Sequence, residues 1–432
     1  MQGLVLTAGG ARGAYQAGVL KRLAELPSLR GRPSPFAIIA GASAGAINGT
    51  ILAARSERFD EAGRDVADVW SRLEAAQVFR TDLTAFARVG ASLAHDFVLG
   101  RALGRTLTTG LLDTSPLESL LASVFPRRGI ADAIARGDVY AVAVTATSYH
   151  SGRSFTFVQG RAGHPIWHKS RRVVLPVRLT HRHILASGAI PIVFPPVQIA
   201  SAQGELWFGD GGLRLVTPLS PAIRLGATHL LAIGVRSARA AENLAREEAS
   251  GGGAALRLFC PPLAQICGVF MNAIFLDHLD ADVDHLRRMN ELVAAHAAAR
   301  ESAGAGRADG APIALDEPMR VIAPLIVSPS EDLALVAQRF AHRMPRLLRY
   351  ALEGLGTPDA QSADLMSYLL FDSVYTRTLV EIGYADAGAR ADEIEAFLAS
   401  SGALERRRPL PRPLPTRRGA WSAPHAGTPL GA

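Results

Sequence analysis

Two glycine-rich turns constrain the fold of this chain more than any other feature of its sequence. The first follows the apolar run Leu4–Thr7 and contains Gly9–Gly10 and Gly13. The second follows Phe36–Ala40 and reads GASAG, residues 41–45. A helical segment comes after each turn, and apolar runs separated by helices are typical of a parallel sheet covered on both faces. Because the carboxyl ends of neighbouring parallel strands meet at one edge of a sheet, we expect the two turns to lie side by side.

The remaining apolar runs extend this pattern into a three-layer α/β/α sandwich. Further strands are predicted at Val139–Thr145, Ser154–Val158, Leu206–Phe208 and Thr228–Val235. The first two are separated by the turn YHSG and are expected to form a hairpin. Residues from about 55 to 135 carry helical patterns without a strand signal, which predicts a helical insertion over one end of the sheet.

The formal charge of +7 is concentrated near the end of the chain. Six arginines follow Glu405 with no acidic residue among them, so the residues before them are close to neutral as a group. Arginine replaces lysine almost everywhere, since Lys21 and Lys169 are the only lysines. A body of near-neutral charge argues against binding to nucleic acid, which requires a basic face.

Cysteine use and hydropathy favour a cytoplasmic protein. Cys260 and Cys267 lie in one apolar stretch without partners at metal-ligand spacing, which predicts buried, reduced thiols rather than a disulfide or a zinc site. No basic region followed by an apolar core and a cleavage site is present at the start, so we expect no signal peptide. The uncharged stretch 259–276 contains two prolines, which favours a buried or interfacial helix over a membrane span. Peripheral contact with a membrane stays open.

Ser43 has the sequence context of a nucleophile. GASAG matches Gly-x-Ser-x-Gly, with Gly41 and Gly45 as the flanking glycines, directly after a strand and before a helix. Small neighbours permit the tight turn that exposes a serine hydroxyl, and the start of a helix stabilises negative charge near it. The pentapeptide alone often occurs by chance, but the strand before it and the helix after it favour the nucleophile.

The first turn is typical of an anion site, because the free amide groups of a turn and a helix start point at one spot. A dinucleotide site is disfavoured, since Ala8 stands at the first glycine of that pattern and no acidic residue ends the second strand. A Walker loop is disfavoured because the Gly-Lys pair is missing. We interpret the turn as an oxyanion hole formed by amides around Gly9 and Gly10 and steadied by Arg12. A structural ion pair is the alternative role of Arg12.

A nucleophilic serine requires a base, and two kinds of residue could serve. Asp210 lies in Gly-Asp-Gly-Gly directly after an apolar run, so it is predicted at another strand end. His229, His278 and His285 follow Ser43 in the chain, as a triad would require. However, His229 begins a buried run, and the other two lie on an acidic helical segment. A lone Asp-Gly is most often a hairpin turn, but its position at a strand end beside a nucleophile favours Asp210 as the base.

Together these motifs resemble those of the patatin-like phospholipases. TAGGARG is similar to the glycine-rich oxyanion motif of that family, GASAG to its nucleophile motif and DGG to its Asp-Gly-Ala/Gly motif, in the same order. The segments TGLLDTSPL, ASGAIPIVFPPV and FLDHLDADVDHLRRMNEL also look like parts of bacterial members. The resemblance covers about residues 1–400. One departure is Ala8, which stands where the family often has a third glycine.

The resemblance implies a patatin-like fold and a lipid acyl hydrolase that works through an acyl-enzyme. It implies a Ser–Asp dyad at Ser43 and Asp210, with Gly211 and Gly212 completing the motif of the acid. The implied oxyanion hole comprises Gly9, Gly10, Arg12 and Gly13. The expected partner is a lipid or acyl-ester substrate, and no metal or organic cofactor is expected. A thioesterase or short-chain esterase with the same dyad, and a non-catalytic lipid-binding protein, are the alternatives.

The chain is expected to divide into three parts. A patatin-like catalytic domain is predicted at 1–237, an α-rich C-terminal extension packed on it at 254–400, and a disordered tail rich in proline and arginine at 401–432. Two further hypotheses concern lipid. The apolar residues of 86–107 could line an acyl site or touch a lipid surface, and the arginines of the tail could bind an acidic surface. Core packing and a solvated tail are the simpler interpretations.

Overall fold

The computed structural model shows an α/β protein with a helical C-terminal region. It describes residues 1–85, 87–88, 90–92, 95–96, 110–125, 128–169, 171–201, 204–237, 263–275, 278–302, 319–354, 363–400 and 402. The strands are β1 (Gln2–Leu6), β2 (Ile38–Ala42), β3 (Ala141–Ser148), β4 (Ser154–Gly160), β5 (His168–Lys169), β6 (Arg172–Pro176), β7 (Val197–Ser201), β8 (Gly204–Gly209), β9 (His229–Ile233) and β10 (Ala323–Val327).

Helices precede, connect and follow these strands. They are α1 (Gly13–Ala24), α2 (Ala44–Ala54), α3 (Phe59–Ser71), α4 (Ala75–Val78), α5 (Ser115–Val124), α6 (Gly129–Arg136), α7 (His181–Ser187), α8 (Ser220–Leu225), α9 (Leu263–Phe275), α10 (His278–Ser302), α11 (Leu333–Arg339), α12 (Arg346–Gly354), α13 (Ala363–Leu369), α14 (Ser373–Ala389) and α15 (Ala391–Ser400). Short 3-10 turns lie at Gly10–Arg12, Pro27–Leu29, Gly211–Leu213 and Ala341–Arg343. Among the helices that the structure describes, none is both long and apolar enough to cross a membrane.

The strands form one mixed sheet in the order β10-β9-β1-β2-β3-β4-β6-β5, and β8 pairs with β3 and β7. The five strands from β10 to β3 run parallel. In this register Leu6 of β1 lies opposite Gly41 of β2, so both strands end at the same edge of the sheet. The prediction that the two glycine turns lie side by side is therefore confirmed.

Both faces of the sheet are covered, as predicted for a three-layer sandwich. On β1, Leu4 and Leu6 point into a core shared with α1, α2, α3 and the C-terminal helices. Val5 between them points into a second core, shared with α8 and α10. Successive side chains of a strand point to opposite faces, so a strand that is buried on both faces must be apolar at every position.

The sequence predicted the central strands but missed part of the sheet. β3 and β4 form the expected antiparallel hairpin, and the described part of 55–135 is helical outside its loops. The missed strands β5, β6 and β7 lie toward the edge of the sheet or outside its main path. Two of them are short runs with exposed or half-buried positions, and such runs carry a weaker apolar signal than strands buried on both faces.

The C-terminal region joins the sheet and covers the helix after the first glycine turn. β10 adds a parallel strand beside β9. α14 lies so close to α1 that a Cβ on Gly18 would overlap the carbonyl oxygen of Val380, and one on Gly383 would overlap that of Tyr15. This close packing orients α1, and with it the turn that precedes it. The predicted domain boundaries stay predictions.

Candidate active site

Ser43 occupies a strained turn between β2 and α2. Its backbone has φ 54° and ψ −126°, a conformation that residues other than glycine rarely adopt. Holding such a residue costs about 1–3 kcal/mol, and the cost is tolerated where the surrounding structure imposes the conformation. The serine is almost fully buried at the amino end of α2. The geometry is that of a nucleophile elbow.

The two flanking glycines are required by close backbone contacts. A Cβ on Gly41 would overlap the carbonyl oxygen of Gly45, and a Cβ on Gly45 would overlap the carbonyl oxygen of Leu6. The first turn of α2 therefore packs directly on the backbone of β1. Because no side chain fits at either position, the GASAG pattern is a steric requirement of this turn.

A buried serine from a distant segment holds the elbow in place. The Ser43 amide donates a hydrogen bond to Ser187 Oγ at 2.9 Å, and the Ser187 hydroxyl donates to the Thr145 carbonyl at 2.5 Å. Ser187 ends α7 and is fully buried. It links the elbow to β3. Nothing in the local sequence around Ser187 indicates this role, because its partner Ser43 lies 144 residues away in the chain.

We expect Ser187→Ala to weaken both the fold and the reactivity of Ser43. The substitution leaves the Ser43 amide buried without its partner, which costs about 1–3 kcal/mol in the free energy of unfolding. Loss of orientation should slow labelling of Ser43 by a fluorophosphonate between about tenfold and a hundredfold. Denaturant unfolding and labelling rates measure the two effects. Ser123→Ala, which removes an exposed hydroxyl on α5, is the matched control, and equal behaviour of the two variants would contradict this role of Ser187.

Asp210 lies at the end of β8, directly before the 3-10 turn Gly211–Leu213. Its side chain is fully buried, and its Oδ1 accepts a hydrogen bond from the Gly212 amide at 2.8 Å. The Thr147 hydroxyl donates to the Asp210 carbonyl at 2.8 Å, which fixes the backbone of the residue against β3. Within the described residues, the other carboxylate oxygen, Oδ2, has no hydrogen-bond partner. A buried oxygen without a partner is available to accept a proton or a new hydrogen bond.

Burial raises the pKa of Asp210 to about 7, because the charged form loses its hydration. The Ser43 side chain and the Gly212 amide partly oppose this shift, since both favour the carboxylate. The Ser43 hydroxyl is thus near enough to affect the pKa of Asp210. It does not donate a hydrogen bond to Oδ2, because Oδ2 has no hydrogen-bond partner among the described residues. Contacts of this kind are often long in the absence of substrate. A carboxyl group with a pKa near 7 is suited to proton transfer at neutral pH.

The first glycine turn faces the same cavity as Ser43, since Gly10 and Ser43 both line it. Gly10 has φ 54°, and a Cβ there would lie 2.5 Å from the Tyr368 carbonyl oxygen. Neither the Gly10 amide nor the Ala11 amide is a donor in the backbone hydrogen bonds of the described chain. The Gly13 amide bonds back to the turn. The Gly9 amide is not a donor in those backbone hydrogen bonds of the described chain either, so the amides of Gly9, Gly10 and Ala11 are the available donors of this turn.

Arg12 holds the turn through contacts with the C-terminal region. Its Nε donates to Ser367 Oγ and its Nη2 to Asp364 Oδ1, both at 2.7 Å, and its guanidinium lies over the Tyr368 ring. Its amide donates to the Gly9 carbonyl at 3.1 Å. This matches the ion-pair alternative, in which Arg12 steadies the turn from behind. The parts assigned to Gly9, Gly10, Arg12 and Gly13 in an oxyanion hole stay predictions.

An apolar cavity leads to Ser43. It has a volume of about 640 Å³, including the part open to solvent. Its walls are almost entirely apolar and come from α2, α3, α5, α7 and the segments after α7 and α13, with Leu117, Leu121, Ile184, Phe194 and Phe371 among the lining residues. Apolar walls of this kind are suited to contact with a hydrocarbon chain.

The three histidines considered as bases lie away from Ser43. His229 pairs in register with Gln2 at the amino end of β1, whereas Ser43 follows the carboxyl end of β2. His278 and His285 lie on α10, whose apolar side chains belong to the core on the other face of the sheet. None of the three lines the cavity. Their placement favours Asp210 as the partner of Ser43.

Other predictions fall where the structure offers no test. The part of the chain outside the described residues includes Cys260, residues 403–432 of the tail, and the apolar residues of 86–107 considered for lipid contact. These apolar residues are Phe86, Val89, Leu93, Phe97, Leu99 and Leu103. Cys267 is a free, half-buried thiol on α9. Within the described ranges, no group of three or more histidine, cysteine or acidic side chains is placed to hold a metal ion.

A mixed sheet with a serine held in a strand-to-helix elbow is the arrangement of α/β serine hydrolases. The chain belongs to the patatin-like phospholipase family, whose model matches residues 4–223. The family is described as one of phospholipases, which are acyl hydrolases. No curated protein matched the chain. Among solved structures, the chain is similar to VipD from Legionella pneumophila, with a TM-score of 0.26 and 16% identity, over 59% of this chain and 55% of that chain. The match thus spans about half the length of that protein.

Proposed function

We propose that this protein hydrolyses the acyl esters of lipids with Ser43 as nucleophile and Asp210 as base. One observation carries the proposal. Ser43 sits in a strained elbow at the wall of an apolar cavity, and a fully buried carboxyl group with a raised pKa lies beside it. Family membership supplies the reaction class, and this arrangement supports the assignment of roles to residues.

Acylation requires two proton transfers and the exchange of one carbon–oxygen bond for another. The Asp210 carboxylate accepts the hydroxyl proton of Ser43 as the serine oxygen attacks the ester carbonyl carbon. The carbonyl oxygen becomes negative and binds the free amides of the Gly10–Ala11 turn. The intermediate then collapses, the carbon–oxygen bond to the alcohol breaks, and Asp210 returns its proton to the departing alcohol. The acyl group stays on Ser43.

Deacylation repeats the same steps with water. Asp210 accepts a proton from a water molecule, whose oxygen attacks the acyl carbon of the ester on Ser43. The bond to the serine oxygen breaks, and Ser43 recovers its proton from Asp210. The products are a free fatty acid and the original enzyme. Asp210 must be deprotonated at the start of each half-reaction, which makes its pKa decisive for the rate.

Labelling with a fluorophosphonate tests the assignment of the nucleophile. Such probes form a covalent bond with an activated serine, so the wild-type protein should be labelled and Ser43→Ala should not. Labelling of the Ser43→Ala variant at the wild-type rate would overturn the assignment. Release of fatty acid from phosphatidylcholine by the wild-type protein tests the reaction itself.

The cavity predicts a preference for long acyl chains. Each methylene buried in it contributes up to about 0.8 kcal/mol, which is roughly fourfold in kcat/KM, until the cavity is full. Leu121 is buried on α5 and lines the cavity, so Leu121→Trp should shift the preferred chain to a shorter length. Turnover of p-nitrophenyl esters of increasing chain length measures this. Leu335→Trp, at an exposed position on α11, is the control, and an unchanged chain-length profile for Leu121→Trp would show that the cavity does not bind the chain.

A further inference from the structure

The helix α9 exposes an apolar face to solvent. Its exposed large side chains are Leu263, Ile266, Val269 and Phe270, with exposures of 53%, 50%, 63% and 56%. Ala273 is exposed beside them. These five residues, here called the outer face of α9, include no polar or charged side chain. Most surface helices place charged residues on the side that meets water.

Asn272, one of the polar residues of α9, turns away from this face. Asn272 is half-buried and accepts a hydrogen bond from the Tyr368 hydroxyl at 3.0 Å. Met271 and Phe275 are buried in the core, and the Phe275 ring packs against that of Tyr368. The helix contains no charged residue at all. It is therefore packed on one side and apolar on the other, and an exposed apolar face of this kind marks a surface that contacts another apolar phase.

α9 lies beside the active site. A Cβ on Gly212, two residues after Asp210, would lie 2.5 Å from the Phe275 ring. α9 also packs along α13, whose Tyr368 carbonyl approaches Gly10 of the first glycine turn. α9 thus contacts the turn that follows Asp210 and the helix α13 that approaches the first glycine turn. Both turns are at the sheet edge where Ser43 lies. An occupant of its outer face would contact the same helix that packs against these two parts of the site.

We infer that the outer face of α9 docks on the surface of a lipid aggregate and brings the cavity to its substrate. The inference rests on the proposed function, since a lipid acyl hydrolase meets its substrate in a bilayer or micelle. An uncharged face next to the active site fits the apolar region of such a surface. A helix of 13 residues is about 20 Å long, too short to cross a bilayer, so it lies along the interface.

Flotation with phosphatidylcholine vesicles tests the docking separately from catalysis. The Ser43→Ala protein is used, so that the vesicles are not consumed. Val269→Asp and Phe270→Asp should each reduce vesicle binding about tenfold, and the double variant about a hundredfold, because a charge must then enter the interface. Binding should not change with salt, since the face carries no charge. Leu292→Asp is the matched control, because Leu292 is 62% exposed on α10.

Three further measurements separate the outcomes. With Ser43 restored, the Asp variants should keep wild-type turnover of a soluble short-chain ester and wild-type thermal unfolding, and lose turnover only on vesicles. Unchanged vesicle binding by the double variant would overturn the inference. In particular, a dimeric parent protein and a monomeric double variant that bind vesicles equally would show that the face is a dimer interface. If the wild-type protein hydrolyses no ester while docking still depends on Phe270, the proposed function fails and the docking surface stands.

Discussion

Ser43→Ala and Asp210→Asn should each lower the turnover of a long-chain acyl ester by about a thousandfold or more. The first removes the atom that forms the acyl-enzyme, and the second removes the group that accepts its proton. Because the two act as one unit, the double variant should be no less active than Ser43→Ala alone. Steady-state turnover of one long-chain acyl ester, measured for wild type and all three variants, gives the comparison.

The histidines provide the control for this prediction. His229→Ala, His278→Ala and His285→Ala should keep turnover within about tenfold of wild type, because none of these side chains lines the cavity. A folded histidine variant that is as inactive as Ser43→Ala would show that the base is a histidine. The proposed dyad would then be wrong, together with the role of Asp210.

The rate should depend on pH through the ionisation of Asp210. Its pKa is raised to about 7 by burial, and only the carboxylate can accept the serine proton. Turnover of a soluble ester should therefore fall about tenfold for each pH unit below about 6 and level off above about 8. The expected profile has a single ionisation on its acidic side. A rate that stays constant down to pH 5 would contradict a base with a raised pKa.

The same pKa makes a prediction about stability, with its sign set by the direction of the shift. Between the ordinary pKa of 3.8 and the folded-state value of about 7, the folded protein keeps a proton that the unfolded chain releases. The contribution of Asp210 is therefore fully present below the ordinary pKa and is lost as the pH rises through this window. The shift corresponds to a loss of up to about 4 kcal/mol in the free energy of unfolding.

Asp210→Asn removes this ionisation and should stabilise the protein above pH 7 while it abolishes turnover. Denaturant unfolding at pH 5 and pH 8 measures the effect as the difference between wild type and variant. Burial raises the pKa of Asp282 to about 6, so Asp282 ionises in the same pH window. Because Asp282 is present in both proteins, its contribution cancels in the difference between wild type and variant. If Asp210→Asn is less stable than wild type at pH 8, the buried Asp210 carboxylate does not destabilise the folded protein.

Local sequence is enough to predict the central architecture and the chemical groups of the site. Apolar runs that end in glycine turns predict β1 and β2, and the register confirms that their turns meet at one edge. Ser43 and Asp210 are predicted because each follows a strand within a glycine-rich turn, a signal contained in a few consecutive residues. The short strands β6 and β7 lack this signal, since they are only partly buried, and β5 is only two residues long.

Contacts between distant residues account for what local sequence does not predict. Ser187 supports Ser43 from 144 residues away, and Arg12 pairs with Asp364 across 352 residues. The raised pKa of Asp210 comes from its burial, and the cavity arises where several helices meet. On α9, periodicity alone does not tell which face is buried, because the helix is apolar nearly all round. The packing of Phe275 and Asn272 against Tyr368 and Gly212 makes that choice, since burial and pKa depend on neighbours that only the folded chain brings together.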